Sequence, residues 1–230
     1  MQNDPMRRDG SRVAYGAPAQ ESVLATNKVL RNTYTLLSMT LLFSAAMAGV
    51  SMALKLPYFG VIVTLVGYFG LLFLTAKMRN SAGGILCVFA LTGFMGLTLG
   101  PLLSAYMLAI PNGGDLIMTA LGSTGMIFLA LSAYALKSQK DFSFMGGFMM
   151  VGMLGLLAVI VIGLFVDLSA FQMAISAGIV LLMSAMILYQ TSAIIHGGET
   201  NYIMATVSLY VALYNIFLNL LMLLGLGGDD

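Results

Sequence analysis

The chain predicts an all-α membrane protein with seven transmembrane helices, and three observations carry that fold class. It is 60% hydrophobic and only 8% charged, against about 25% charged residues in ordinary soluble domains. A soluble chain of 230 residues could not cover its core with so few charges, so the excess apolar surface faces a lipid bilayer. Seven stretches lack Asp, Glu, Lys, Arg and His, and each is close to or above the ~20 residues a membrane helix needs.

The first 33 residues stand apart. Pro5, Gly10, Gly16 and Pro18 interrupt a segment of mixed charge with few large apolar residues, which predicts a mostly disordered tail. It does not have the pattern of a cleavable signal peptide, because the first apolar run begins too late and is too long. The predicted spans follow at 34–54, 57–76, 82–110, 116–136, 144–166, 170–191 and 202–226. Residues 34–226 then form one transmembrane domain, and 227–230 a short external tail. The third stretch is longer than a straight crossing requires at about 1.5 Å per residue. Pro101 inside it removes a helix hydrogen bond, so a kinked helix with an interfacial end near Pro111-Asn112-Gly113-Gly114 is expected.

Lysine and arginine set the orientation. Arg7, Arg8, Arg12, Lys28 and Arg31 precede the first span; Lys77 and Arg79 lie in the second loop; Lys137 and Lys140 lie in the fourth. Only Lys55 falls on the other side. The expectation is a cytoplasmic N-terminus and an external C-terminus.

Between membrane helices, close backbone approach and polar contacts replace the hydrophobic drive of water-soluble proteins. The 26 glycines fit that need, and Gly96/Gly100, Ala45/Gly49 and Gly152/Gly155 predict smooth packing patches. The 19 methionines read as adaptable filler rather than a copper site. The seventh span is the most polar. Ser208, Ala212, Asn215 and Asn219 recur at four, three and four residues and share one face, with Tyr210 and Tyr214 beside it. An amide facing lipid would cost several kcal/mol, so this face is expected to turn inward, as polar glue between helices or as the lining of a hydrated path.

Much chemistry is excluded. A single histidine, His196, rules out a His-rich metal site, and no HExxH stretch occurs. Gly122-Ser123-Thr124-Gly125 places a serine between glycines, but within an apolar span far from His196. No phosphate loop or dinucleotide fingerprint is present, and no basic block points to nucleic acid. No catalytic group, metal or cofactor is expected, and the chain reads as a non-enzyme. Cys87 stands alone in an apolar run and forms no internal disulfide.

The scarce polar residues gather in "YQTSAIIHGGETNY" at 189–202. His196 and Glu199 form a conceivable pH-responsive pair, because imidazole is the side chain that ordinarily titrates near neutrality. The competing reading gives each residue a structural task. Gly197-Gly198 ends the sixth helix, His196 sits at its negative end, and Glu199 or Thr200 caps the seventh.

Three stretches together, "TGFMGLTLGPLLSAY" at 92–106, "SAYALKSQKDFSFMGG" at 132–147 and "YQTSAIIHGGETNYIMATVSLYVALYNIF" at 189–217, resemble the Bax inhibitor family of seven-span membrane proteins. "RNTY" at 31–34 and the "HGGETNY" loop look most like its enterobacterial inner-membrane branch. The resemblance implies a fold with the seventh helix surrounded by the other six and a location in the bacterial inner membrane. It also implies two functions: binding and modulation of the FtsH membrane protease, or a pH-sensitive calcium leak. In the family the leak rests on two carboxylates that share a proton and latch a pore. The positions that match them here are Gln190 and Ala212, with Ser208 at the neighbouring acidic position. Gln190 keeps the shape of a glutamate but cannot titrate, and calcium favours hard, usually charged oxygen ligands. The protease-modulator expectation is therefore favoured, with the leak as its alternative.

Overall fold

A computed structural model describes residues 19–163 and 165–226, the side chains of 19–27 excepted. Its helices are α1 (Ala19–Ala53), α2 (Val61–Met78), α3 (Ala82–Ala109), α4 (Gly113–Ser138), α5 (Met145–Gly163), α6 (Gln172–Ile195) and α7 (Tyr202–Leu226), with a 3-10 turn Ser169–Phe171 leading into α6. All seven contain a segment long and apolar enough to cross a membrane, and no strand occurs among the described residues.

The first helix departs from expectation. It begins at Ala19, so residues 19–33, expected to belong to the tail, are helical. Their composition allows it. No Gly or Pro lies between Pro18 and Gly49, and Ala, Gln, Glu, Leu, Lys and Arg are all good helix formers. Residues 1–18 and the expected external tail at 227–230 lie outside the described residues.

Helix α7 is the axis. It packs against α1, α2, α3, α4 and α6, while α5 sits at the edge against α6. The core contains Leu37 of α1, Val88 and Leu91 of α3, Ile187 of α6 and Leu209, Tyr210 and Ile216 of α7, all almost fully buried. The outward faces of α2 and α5 carry exposed residues such as Ile62, Phe73, Met150 and Val151, as a lipid-facing ring requires.

The most extensive interface joins α1 to α3. A Cβ on Gly96 would strike the backbone carbonyl of Ser44, and one on Gly100 would strike the Ser51 side chain and approach the Ala48 carbonyl. These two glycines let the helix axes close, as their spacing predicts. Helix α3 continues through Pro101 as a single element. Proline has no N–H to offer Leu97, four residues back. Ser51 of α1 donates to the Leu97 carbonyl instead, at 2.8 Å. A carbonyl left bare in hydrocarbon is thereby satisfied by a neighbouring helix.

The other expected glycine patches behave differently. Gly152 packs closely on Leu182, whereas a Cβ at Gly155 or Gly49 would meet nothing within 4 Å. Ala45 and Gly49 are exposed, so this small pair closes no helix interface.

Ser51→Ala should lower stability by about 1–3 kcal/mol, the cost of a buried acceptor without a donor. Gly96→Leu should lower it by at least about 1–3 kcal/mol through overpacking, and Gly49→Ala should not lower it. Circular dichroism melting of purified protein in mild detergent compares the three.

Candidate functional site

The polar stretch at 189–202 folds into a tightly capped turn. Gly197, with φ 74°, takes the left-handed conformation that ends α6. Gly198 N–H bonds the Ala193 carbonyl at 2.8 Å and Gly197 N–H the Ile194 carbonyl at 3.3 Å, the paired pattern of a glycine-terminated helix. The start of α7 is capped by Asn201 rather than by Glu199 or Thr200. Its Oδ1 accepts from the N–H groups of Ile203 and Met204 at 3.1 and 3.0 Å. Glu199 acts one step earlier, accepting the Asn201 N–H at 2.8 Å. Asn201 Nδ2 donates to the Arg79 carbonyl and to Asn80 Oδ1, fastening this turn to the α2–α3 loop.

His196 faces two carbonyl oxygens. Nδ1 lies 2.9 Å from the Ser192 carbonyl and Nε2 lies 3.2 Å from the Gln139 carbonyl. Gln139 itself terminates α4 with φ 49°. A neutral ring has one N–H and serves one of these acceptors; an imidazolium serves both. No hydrogen bond joins His196 to Glu199 among the described residues; each has its own backbone partner. Ser192 also holds the α4–α5 loop, accepting the Phe142 N–H at 2.9 Å and reaching the Lys140 carbonyl at 3.2 Å. In that loop the Ser143 backbone N–H, and then its hydroxyl, hold the exposed Asp141 carboxyl below its ordinary pKa, with a smaller contribution from His196.

Three polar side chains are buried within the bundle, on α6, α1 and α4. Gln190 is 5% exposed, Thr33 0% and Ser132 5%. The Gln190 Nε2, Thr33 Oγ1 and Ser132 Oγ have no hydrogen-bond partner among the described residues. Neighbouring contacts tie the same region together: Tyr34 of α1 reaches Thr191 of α6 at 3.4 Å and packs edge-on against Phe128 of α4, and Thr206 of α7 donates to the Thr33 carbonyl. Gln190 is next in sequence to Thr191, through which α6 meets α1. Ala212 is fully buried and contributes only a methyl group.

The rest of the predicted α7 face is less inward than its polarity demands. Ser208, Asn215 and Asn219 are half-buried. The two amides turn back on their own helix, Asn215 Nδ2 donating to the Val211 carbonyl and Asn219 Nδ2 to the Asn215 carbonyl, both at 2.8 Å. That self-bonding meets much of the desolvation cost that was expected to drive the face inward. Asn219 also borders a cavity of about 440 Å³ with Asp167, Ser169, Gln172 and Ser176 at the opposite end of the bundle.

The polar links across helices come instead from the tyrosines that were expected only to flank this face. Tyr210 donates to the Thr92 carbonyl at 3.3 Å and meets the Ser44 hydroxyl at 2.7 Å. Tyr214 reaches Thr98 at 3.3 Å. The sequence signal for this was slight: tyrosines one turn apart in an apolar span, where a buried phenol needs a partner.

Seven apolar helices, five of them packed on a polar, hydroxyl-linked α7, define a multi-pass helical membrane protein. Among the described residues no three His, Cys, Asp or Glu side chains gather as a metal site would require. The chain belongs to the Bax inhibitor family: the family model described as Inhibitor of apoptosis-promoting Bax1 matches residues 26–229. Modulator of FtsH protease YccA of Escherichia coli (strain K12) is 52% identical over 219 residues, covering 95% of this chain and 99% of that protein. Inner membrane protein YccA of Escherichia coli O6:H1 matches to the same extent. Uncharacterized protein PA2604 of Pseudomonas aeruginosa is 58% identical over 203 residues, covering 88% of this chain and 91% of the relative.

Asn201→Ala removes the α7 cap and should cost about 1 kcal/mol. It should also raise hydrogen exchange in the α2–α3 loop, which loses two contacts. Tyr210→Phe should cost about 1–3 kcal/mol, because the buried Thr92 carbonyl and Ser44 hydroxyl lose a partner. Exchange mass spectrometry reads the first and detergent melting the second.

Proposed function

We propose that this protein is a non-enzymatic modulator of an FtsH-type membrane protease in the bacterial inner membrane. The observation that carries the reading is 52% identity over 95% of the chain to a protein named for that activity. Two features support it. The interior offers amides, hydroxyls and phenols rather than the carboxylate pair of a calcium latch, with Gln190 and Ala212 at the matching positions. The well-satisfied α1–α3 seam and capped α6–α7 turn make a bundle that resists being pulled apart. In this reading residues 1–18 serve as the handle that an unfolding protease engages, and the packed helices stall it.

The arrangement requires the N-terminus and the α6–α7 turn to face the cytoplasm, as the excess of lysine and arginine on that side argues. A cysteine placed at Lys140 should react with a membrane-impermeant maleimide from the cytoplasmic side only. Native Cys87 is buried and gives little background. Labelling from the external side alone would reverse the topology.

Deleting residues 2–18 should lower co-purification with the protease and relieve its inhibition on a model substrate. Unchanged association and unchanged degradation would remove the handle from the reading. The calcium-leak alternative is separated by ion flux into liposomes of pure protein. No step in calcium flux is expected between acidic and neutral pH, because neither Gln190 nor Ala212 titrates; a pH-gated flux would favour the leak.

A further inference from the structure

Helices α1 and α4 both pack on α7, yet among the described residues none of their Cα atoms comes within 8 Å of the other helix's. Between them is a crevice of about 430 Å³. Its floor is Tyr210, Leu213 and Phe217 of α7, its α1 wall includes Ala45 and Gly49, and its α4 wall includes Thr124 and Gly125. A Cβ built on Gly49 or Gly125 would meet nothing within 4 Å. The Tyr34–Phe128 contact bridges the same two helices one to two turns nearer the α6–α7 turn. Leu42, Leu121 and Met126, beside the opening, are exposed and belong to the lipid-facing surface.

Two properties decide what fits. The first is shape. The α1 wall runs from Leu41 to Met52, about 16 Å at 1.5 Å per residue, so the crevice is a long groove along the helices rather than a rounded pocket. The second is polarity. The hydroxyls of the lining residues are already bonded: Ser44 to Tyr210, Tyr214 to Thr98, and Thr124 to the Ala120 carbonyl at 2.7 Å. An apolar cavity with no unmet polar group does not hold water. The bilayer surrounding this opening is made of long, narrow and fully apolar hydrocarbon chains.

We propose that the α1–α4 crevice is a binding site for one acyl chain of a membrane phospholipid, which fills the gap between the two helices and lies on the Tyr210–Leu213–Phe217 floor. The Ala45/Gly49 pair then makes room for lipid, where Gly96/Gly100 makes room for a helix.

The full-length protein is reconstituted in vesicles of phosphatidylethanolamine and phosphatidylglycerol containing a small fraction of phospholipid with a mid-chain diazirine. After irradiation, insertion sites are mapped by peptide mass spectrometry. Insertion should concentrate at Ala48, Thr124 and Leu213, above the level on the outer face of α2 around Gly70. Leu213 is the sharpest reporter, because it is 4% exposed and an annular lipid outside the crevice does not reach it. Gly49→Leu and Gly125→Leu fill the channel and should reduce crevice insertion to the α2 level. Gly70→Leu, whose Cβ likewise meets nothing within 4 Å, should leave it unchanged. Detergent melting confirms that each variant is folded, and the two substituted glycines provide independent routes to the same result. The proposal is overturned if crevice insertion does not exceed that on α2, if it persists in both filled variants, or if the α1–α4 face cross-links to a second polypeptide instead.

Discussion

The phenol of Tyr210 is the point on which three helices depend. It is 1% exposed, donates to the Thr92 carbonyl of α3 and meets the Ser44 hydroxyl of α1. With its proton committed to Thr92, the phenol oxygen accepts from Ser44, so the chain of donors runs in one direction from α1 through α7 to α3. In water such a bond would be exchanged for solvent at little net gain. In a bilayer core the alternative is an unsatisfied group, and hydrophobic burial gives almost no preference among helix neighbours. A few directional contacts therefore choose which helices touch. The glycines of α3 permit the approach, and the hydroxyls of α1 and α7 set its register.

The same economy explains what the amino-acid sequence revealed and what it hid. The seven spans were visible because charge is excluded from each, a property of residues one at a time. Pairing was not, because spacing alone does not say what lies opposite. Gly96/Gly100 and Ala45/Gly49 share a four-residue interval, yet one pair meets a helix and the other a crevice. The start of α1 was placed too late because charges at Lys28 and Arg31 mark the edge of hydrocarbon, not the edge of a helix. On α7 the amides drew attention and the phenols carried the contacts. An asparagine in a helix can satisfy its own NH2 on the carbonyl four residues back, as Asn215 does, whereas the hydroxyl of Tyr210 is too far from its own backbone and must find another helix.

The α6–α7 turn was read correctly in its end at Gly197 and incorrectly in its cap. Glu199 and Thr200 are ordinary capping residues, but the chain turns one residue later and gives the task to Asn201, which holds the α2–α3 loop as well. A single side chain with both acceptor and donors can join two loops, where a carboxylate only accepts. Gln190, five residues before the end of α6, is the complementary case: an amide whose Nε2 has no partner among the described residues. Its significance came from the family pattern rather than from its own chemistry, since a glutamine near the end of an apolar span is unremarkable in isolation.

The bond from Ser51 to the Leu97 carbonyl bears on how this protein is made. Synthesis runs from the N-terminus, so α1 is made before Pro101 arrives. The donor that completes α3 is thus already waiting when its defect reaches hydrocarbon. The proline acts as a sorting mark: α3 is complete beside α1, and a pairing that offers no donor at Leu97 leaves its carbonyl bare. A helix flaw, placed after its remedy in the chain, thereby favours the correct neighbour during assembly.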